Sequence, residues 1–160
     1  MKTKFITQSA VIAAIYIALC WMFAPISFGH NLFQFRISEV MTVLPIFTPA
    51  GIPGVFIGCA LSNLLFGGLG IIDLVLGSLA TLTAAFLTYL LRNKPRVIAL
   101  MPPVIVNAII VGWYLNILIS PEINVLVNMM WVLLGQVVSC YILGLPLCAV
   151  IDKYKKHLLK

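Results

Sequence analysis

Acidic residues are nearly missing from this chain: Glu39, Asp73, Glu122 and Asp152 are the four in 160 residues. Charged residues of both signs make up 9% of the total, against about 25% in soluble domains. That scarcity excludes a water-solvated fold, which would have to bury nearly the whole chain. Cysteines number four, Cys20, Cys59, Cys140 and Cys148, and none forms a C-x-x-C pair. They read as buried thiols packing as small apolar groups, so no metal cluster is expected. No G-x-x-x-x-G-K-[ST] run occurs, so nothing here could cradle the phosphates of ATP for hydrolysis. There is no H-E-x-x-H, no pair of acids at helical spacing inside an apolar run and no Ser/His/Asp set. A membrane-embedded enzyme would need one of these, so no catalytic residue and no cofactor are expected.

What is present is apolar. Hydrophobic residues make up 62% of the chain, and lipid is the solvent that suits such a surface. Six spans of about 20 residues would use about 120 residues, leaving short loops and no soluble module. The expectation is an all-α membrane protein with a single integral membrane domain over residues 1–160. The net charge of +6 does not argue for nucleic acid, because the basic residues sit at span ends, where they set orientation. The first span, residues 5–23, starts beside Lys2 and Lys4 and so begins in the cytoplasm. Its start resembles a signal peptide but lacks a small-residue cleavage site, so it reads as a retained helix.

An outer segment follows at residues 25–35, with His30 and Gln34. The span at residues 71–91 ends at Arg92, Lys94 and Arg96, a cytoplasmic signal, so it starts outside. The stretch between, residues 38–66, must therefore cross twice or not at all. Two crossings have about 14 residues each, roughly 21 Å of helix, against a hydrocarbon core of about 30 Å. Two short helices meeting at TPAGIPG are expected, with a re-entrant hairpin as the alternative. A fifth span, residues 97–119, enters through Pro102 and Pro103, which should kink it. A sixth, residues 125–151, leads to a lysine-rich cytoplasmic tail, so both termini lie inside.

Two sets of residues stand out. Ala10, Ala14 and Ala18 share one face of the first helix, where small side chains let another helix approach closely. That partner is either a helix of the same bundle or another protein. The second set is polar and gathers at one level. Arg36 and Glu39 lie where the second span leaves the outer surface. Asn63, Asp73, Asn116 and Asn128 lie near outer helix ends, with Trp113, Tyr114 and Trp131 in the same layer. Asn107 and Gln136 lie deeper. Polar groups inside a membrane are costly and often functional. A flat heteroaromatic ligand could stack on the aromatics and bond its edges to the amides and carboxylates. Each residue also has a plainer reading. Arg36 and Glu39 could be an interfacial ion pair and Asp73 a helix-start charge. Asn63, Asn107 and Gln136 could be interhelical glue, Trp113 and Trp131 interface anchors, and His30 a solvated loop residue.

The stretch FRISEVMTVLPIFTPAGIPGVFIGCALSNLLFGGLGIIDLVLGSLATLTAAFLTYLLR, with PPVIVNAIIVG and CYILGLPL further on, resembles the QueT family over nearly the whole chain. That family is regarded as comprising substrate-binding S components of energy-coupling-factor transporters. The resemblance implies a six-helix S-component bundle in a bacterial cell membrane. It implies capture of a queuosine precursor, such as queuine or 7-aminomethyl-7-deazaguanine, in an outward-facing pocket. It implies as partners a transmembrane scaffold subunit, against which Ala10, Ala14 and Ala18 would dock, and two cytoplasmic ATPases. The segment at residues 25–35 would close over the ligand. On this reading Arg36, Glu39, Asn63, Asp73, Asn107, Trp113, Tyr114, Asn128, Trp131 and Gln136 are the candidate substrate-binding residues. The alternatives are an S component for another vitamin or purine-like base, and a membrane assembly subunit with no ligand.

Overall fold

A computed structural model describes residues 2–27, 35–67 and 69–158. Most of the expected outer segment, including His30 and Gln34, lies outside the described residues, and so does its closing role. The first helix, α1, is Lys2–Met22. A 3-10 helix, Ile37–Ile46, follows, then α2, Gly51–Phe66. Helix α3 is Gly70–Leu90, α4 is Arg96–Ile119 and α5 is Val125–Tyr154. No strand occurs among the described residues. Four helices, α1, α3, α4 and α5, are long and apolar enough to cross a membrane.

The two elements between α1 and α3 are short, as their length and prolines predict. The ten residues of the 3-10 helix rise about 2.0 Å each and reach about 20 Å, where an α-helix would reach about 15 Å. The 16 residues of α2 reach about 24 Å. A turn at residues 47–50 joins them, closed by the Gly51 amide donating to the Thr48 carbonyl at 3.0 Å. The 3-10 winding also aligns side chains. With three residues per turn, Arg36, Glu39, Thr42 and Pro45 stack along one line, and all four are buried.

Helix α1 packs on α2 through small residues of α2. A Cβ added at Gly54 would come within 2.7 Å of Ile12, and one at Gly58 within 2.7 Å of Tyr16. The buried face of α1 is Ser9, Ile12, Ala13, Tyr16 and Cys20. Ala10, Ala14 and Ala18 lie off that face and are exposed, so the intramolecular contact does not use them. In α4 the chain is helical at Arg96–Ala99, interrupted at Leu100, and helical again from Met101, with Pro102 and Pro103 in the opening turn. Proline is tolerated there because those amides have no intrahelical acceptor.

The outside of the bundle is apolar: Ile71 is 74% exposed and Trp21 68%. The inside holds polar groups, among them Arg36, Glu39, Asn63, Asp73 and Asn107. That inverted arrangement is what a lipid solvent selects.

Candidate functional site

Three departures from α-helical winding surround the polar interior. The 3-10 helix presents Arg36 and Glu39. A π-turn at Asp73–Gly77 opens α3, and a second at Val138–Leu143 interrupts α5. Such local rewindings re-aim side chains and are frequent at functional sites.

Arg36 and Asp73 form the upper part of the site. One guanidinium nitrogen, Nη2, donates to Asp73 Oδ1 at 3.1 Å and Oδ2 at 3.3 Å. The other, Nη1, donates to Asn63 Oδ1 at 3.1 Å. The Tyr114 hydroxyl donates to Asp73 Oδ1 at 2.5 Å, and Asn63 Nδ2 donates to the Asp73 carbonyl at 2.9 Å. Ser139 Oγ, on the second π-turn, lies 2.9 Å from the Arg36 carbonyl. Gly77 allows this closeness: a Cβ there would come within 2.9 Å of both Asn63 Nδ2 and Asp73 Oδ1.

Glu39 anchors the lower part, between Tyr16 of α1 and Asn107 near the middle of α4. Its Oε1 accepts from the Tyr16 hydroxyl at 2.6 Å and faces Thr81 Oγ1 at 3.4 Å. Its Oε2 accepts from Asn107 Nδ2 at 3.3 Å. The Asn107 amide oxygen is buried with no hydrogen-bond partner. A cavity of about 10 Å³ joins the two parts, lined by Arg36, Glu39, Gly77, Thr81, Asn107, Val111, Val132 and Gln136. That is room for roughly one water. The lining offers a guanidinium, a carboxylate and two amides between two valine walls, so it can pair with both donors and acceptors on the edge of a flat ring.

The structure brings together Arg36, Glu39, Asn63, Asp73, Asn107 and Tyr114, with Gln136 on the cavity wall. It changes several pairings expected from sequence. Arg36 and Glu39 are not an interfacial ion pair: Arg36 bridges to Asp73, while Glu39 sits deeper on Tyr16 and Asn107. Trp113 is 51% exposed and Trp131 38%, and neither lines the cavity. Trp113 precedes the inward-facing Tyr114, and the roughly 100° turn per residue carries its indole outward. Trp131 instead borders an apolar surface groove with Leu126 and Met130. Asn128 is buried but serves the turn between α4 and α5, donating to Ser120 Oγ at 2.7 Å. Asn116 holds the same turn through the Ser120 and Ile123 carbonyls.

Tyr16, Thr81, Ser139 and Gly77 are site residues that sequence reasoning passed over. A phenol in mid-span was the available signal for Tyr16, since its hydroxyl needs a partner in lipid.

The chain matches the model of the QueT transporter family over residues 6–153. It is 33% identical over 93 residues to the queuosine precursor transporter QueT of Lactococcus lactis subsp. cremoris, strain MG1363. That match takes in 58% of this chain and 54% of the relative, so it spans about half the length of that protein. No solved structure matches. With several apolar helices, a polar interior and a family match along nearly its whole length, this multi-pass protein of the bacterial plasma membrane belongs to the QueT transporter family.

Proposed function

We propose that this chain is the substrate-binding S component of an energy-coupling-factor transporter. Its substrate is a queuosine precursor, queuine or a 7-deazaguanine base such as 7-aminomethyl-7-deazaguanine, captured from outside for ATP-driven uptake. The observation that carries the reading is the convergence of Arg36, Glu39, Asn107 and Gln136 on one cavity in a chain with so few charges. A deazaguanine has ring N–H and amino donors beside a carbonyl acceptor, which these groups complement, and apolar faces suited to Val111 and Val132. The Lactococcus relative carries the matching substrate in its name.

In this reading residues 1–160 form one membrane domain of six segments, with both termini in the cytoplasm. The 3-10 helix and α2 are the two short crossings. The partners are a transmembrane scaffold subunit and two ATPases, which supply the hydrolysis. The exposed face of Ala10, Ala14 and Ala18 docks on the scaffold. A bicyclic base is larger than the cavity, so the walls must part for it to enter.

Calorimetric titration of the purified protein in detergent tests the substrate. The expected result is saturable binding of queuine or 7-aminomethyl-7-deazaguanine, with guanine much weaker. Heat is the better signal than tryptophan quenching, because Trp113 and Trp131 stand off the cavity. Absence of binding by the chain alone and by the assembled complex rejects the reading. Docking has its own test: Ala14→Trp should bind substrate normally and lose uptake, and normal uptake would reject that face.

A further inference from the structure

Two acids occupy the polar interior, and their surroundings assign them different work. We infer that Glu39 is the carboxylate that recognises the substrate's N–H and amino edge, and that Asp73 is a positioning residue that aims Arg36. The inference rests on the proposed function and deepens it.

Asp73 is held in an ion pair with Arg36. Its two oxygens take the Arg36 guanidinium at 3.1 and 3.3 Å and the Tyr114 hydroxyl at 2.5 Å, and it does not line the cavity. Glu39 does line it. Apart from the Tyr16 bond, its partners sit at 3.3 and 3.4 Å, near the long limit of a hydrogen bond. Its Oε2 has capacity for more, since a carboxylate oxygen can accept two bonds. Beside it the Asn107 oxygen is buried and unpartnered. The orientation of that amide follows from Glu39, because turning it over would set two acceptors against each other. Glu39 Oε2 and Asn107 Oδ1 thus form an acceptor pair at the cavity, which Arg36 also lines as donor.

A cyclic N–H with a neighbouring amino group satisfies that acceptor pair, and an adjacent carbonyl can share the Arg36 guanidinium. The site holds one cation against two acids, so it favours neutral or cationic bases and disfavours phosphorylated ones. The 2-amino group therefore carries selectivity through Glu39.

Two probes test this: 7-deazaguanine and 7-deazahypoxanthine, which lacks the 2-amino group. Wild-type protein should bind 7-deazaguanine at least about 10-fold more tightly than 7-deazahypoxanthine, the effect of one hydrogen bond to a charged group. Glu39→Gln should bring that ratio near one while keeping a folded protein, because the amide oxygen can still accept from Tyr16. Asp73→Asn should weaken both probes by a similar factor and keep the ratio. Tyr114→Phe, which removes a bond from Asp73 and no charge, gives the same reading if Asp73→Asn does not fold. A ratio that collapses in the Asp73 or Tyr114 variants but survives in Glu39→Gln overturns the assignment and leaves the substrate class standing. Equal binding of the two probes by wild type also overturns it. Failure of wild type to bind any deazaguanine overturns the proposed function and this inference with it.

Discussion

The molecule contains two arginine–aspartate pairs with nearly equal contact distances and unequal surroundings. Arg36 and Asp73 meet at 3.1 Å with side chains 7% and 1% exposed, and Arg96 and Asp152 meet at 3.0 Å with 32% and 43% exposed. Arg96 also reaches Asp152 Oδ2 through two nitrogens, each at 3.3 Å. By contact geometry the outer pair is as good as the inner. The inner pair has in addition one hydrogen bond from Arg36 to Asn63 and one from Tyr114 to Asp73. Distance alone therefore says little about energetic weight. What matters is whether losing one partner strands a charge without solvent.

That difference can be broken directly. Arg36→Met or Asp73→Leu alone should cost about 3–5 kcal/mol, because each leaves an uncompensated buried charge. The double variant should recover much of that loss, since no charge remains to be stranded. Thermal unfolding in detergent measures this, and a double variant as unstable as the sum of the singles would show that the pair's geometry itself carries the stability. A smaller effect is expected from crowding the inner pair. Gly77→Ala should cost about 1–3 kcal/mol through overpacking, with Asn63 and Asp73 displaced, and should weaken substrate binding in the same titrations. The smallest effect belongs to the outer pair. Asp152→Asn should change stability by about 0–1 kcal/mol, and that change should shrink as salt is raised. A loss as large as that of Asp73→Leu would erase the distinction.

The individual members of the site were more legible in the sequence than their pairing. Polar residues in apolar runs are conspicuous, so Arg36, Asn63, Asp73, Asn107 and Gln136 could be named at once. Spacing along spans gives depth, however, and not the direction around the helix axis. Trp113 and Trp131 thus share the level of the cavity without lining it. Arg36 and Asp73 are 37 residues apart, and their meeting depends on a 3-10 helix and a π-turn that no hydrophobic period announces. Tyr16, an aromatic in an apolar run, reads as packing until its hydroxyl is followed to Glu39. The four long helices and the two short ones were legible because length against bilayer thickness is a strong constraint. The small-residue spacing of Ala10, Ala14 and Ala18 marked a docking face but left two partners open, and their exposure shows that α2 is not that partner.

The 3-10 helix works like a screw thread whose pitch sets both reach and aim. Rewinding its ten residues as an α-helix would shorten it by about 5 Å and swing Glu39 about 60° away from Arg36. The donor and the acceptor that face the cavity thus share a common direction only while the thread is tight. The aim of these two side chains is in that sense a property of backbone pitch as much as of side-chain identity.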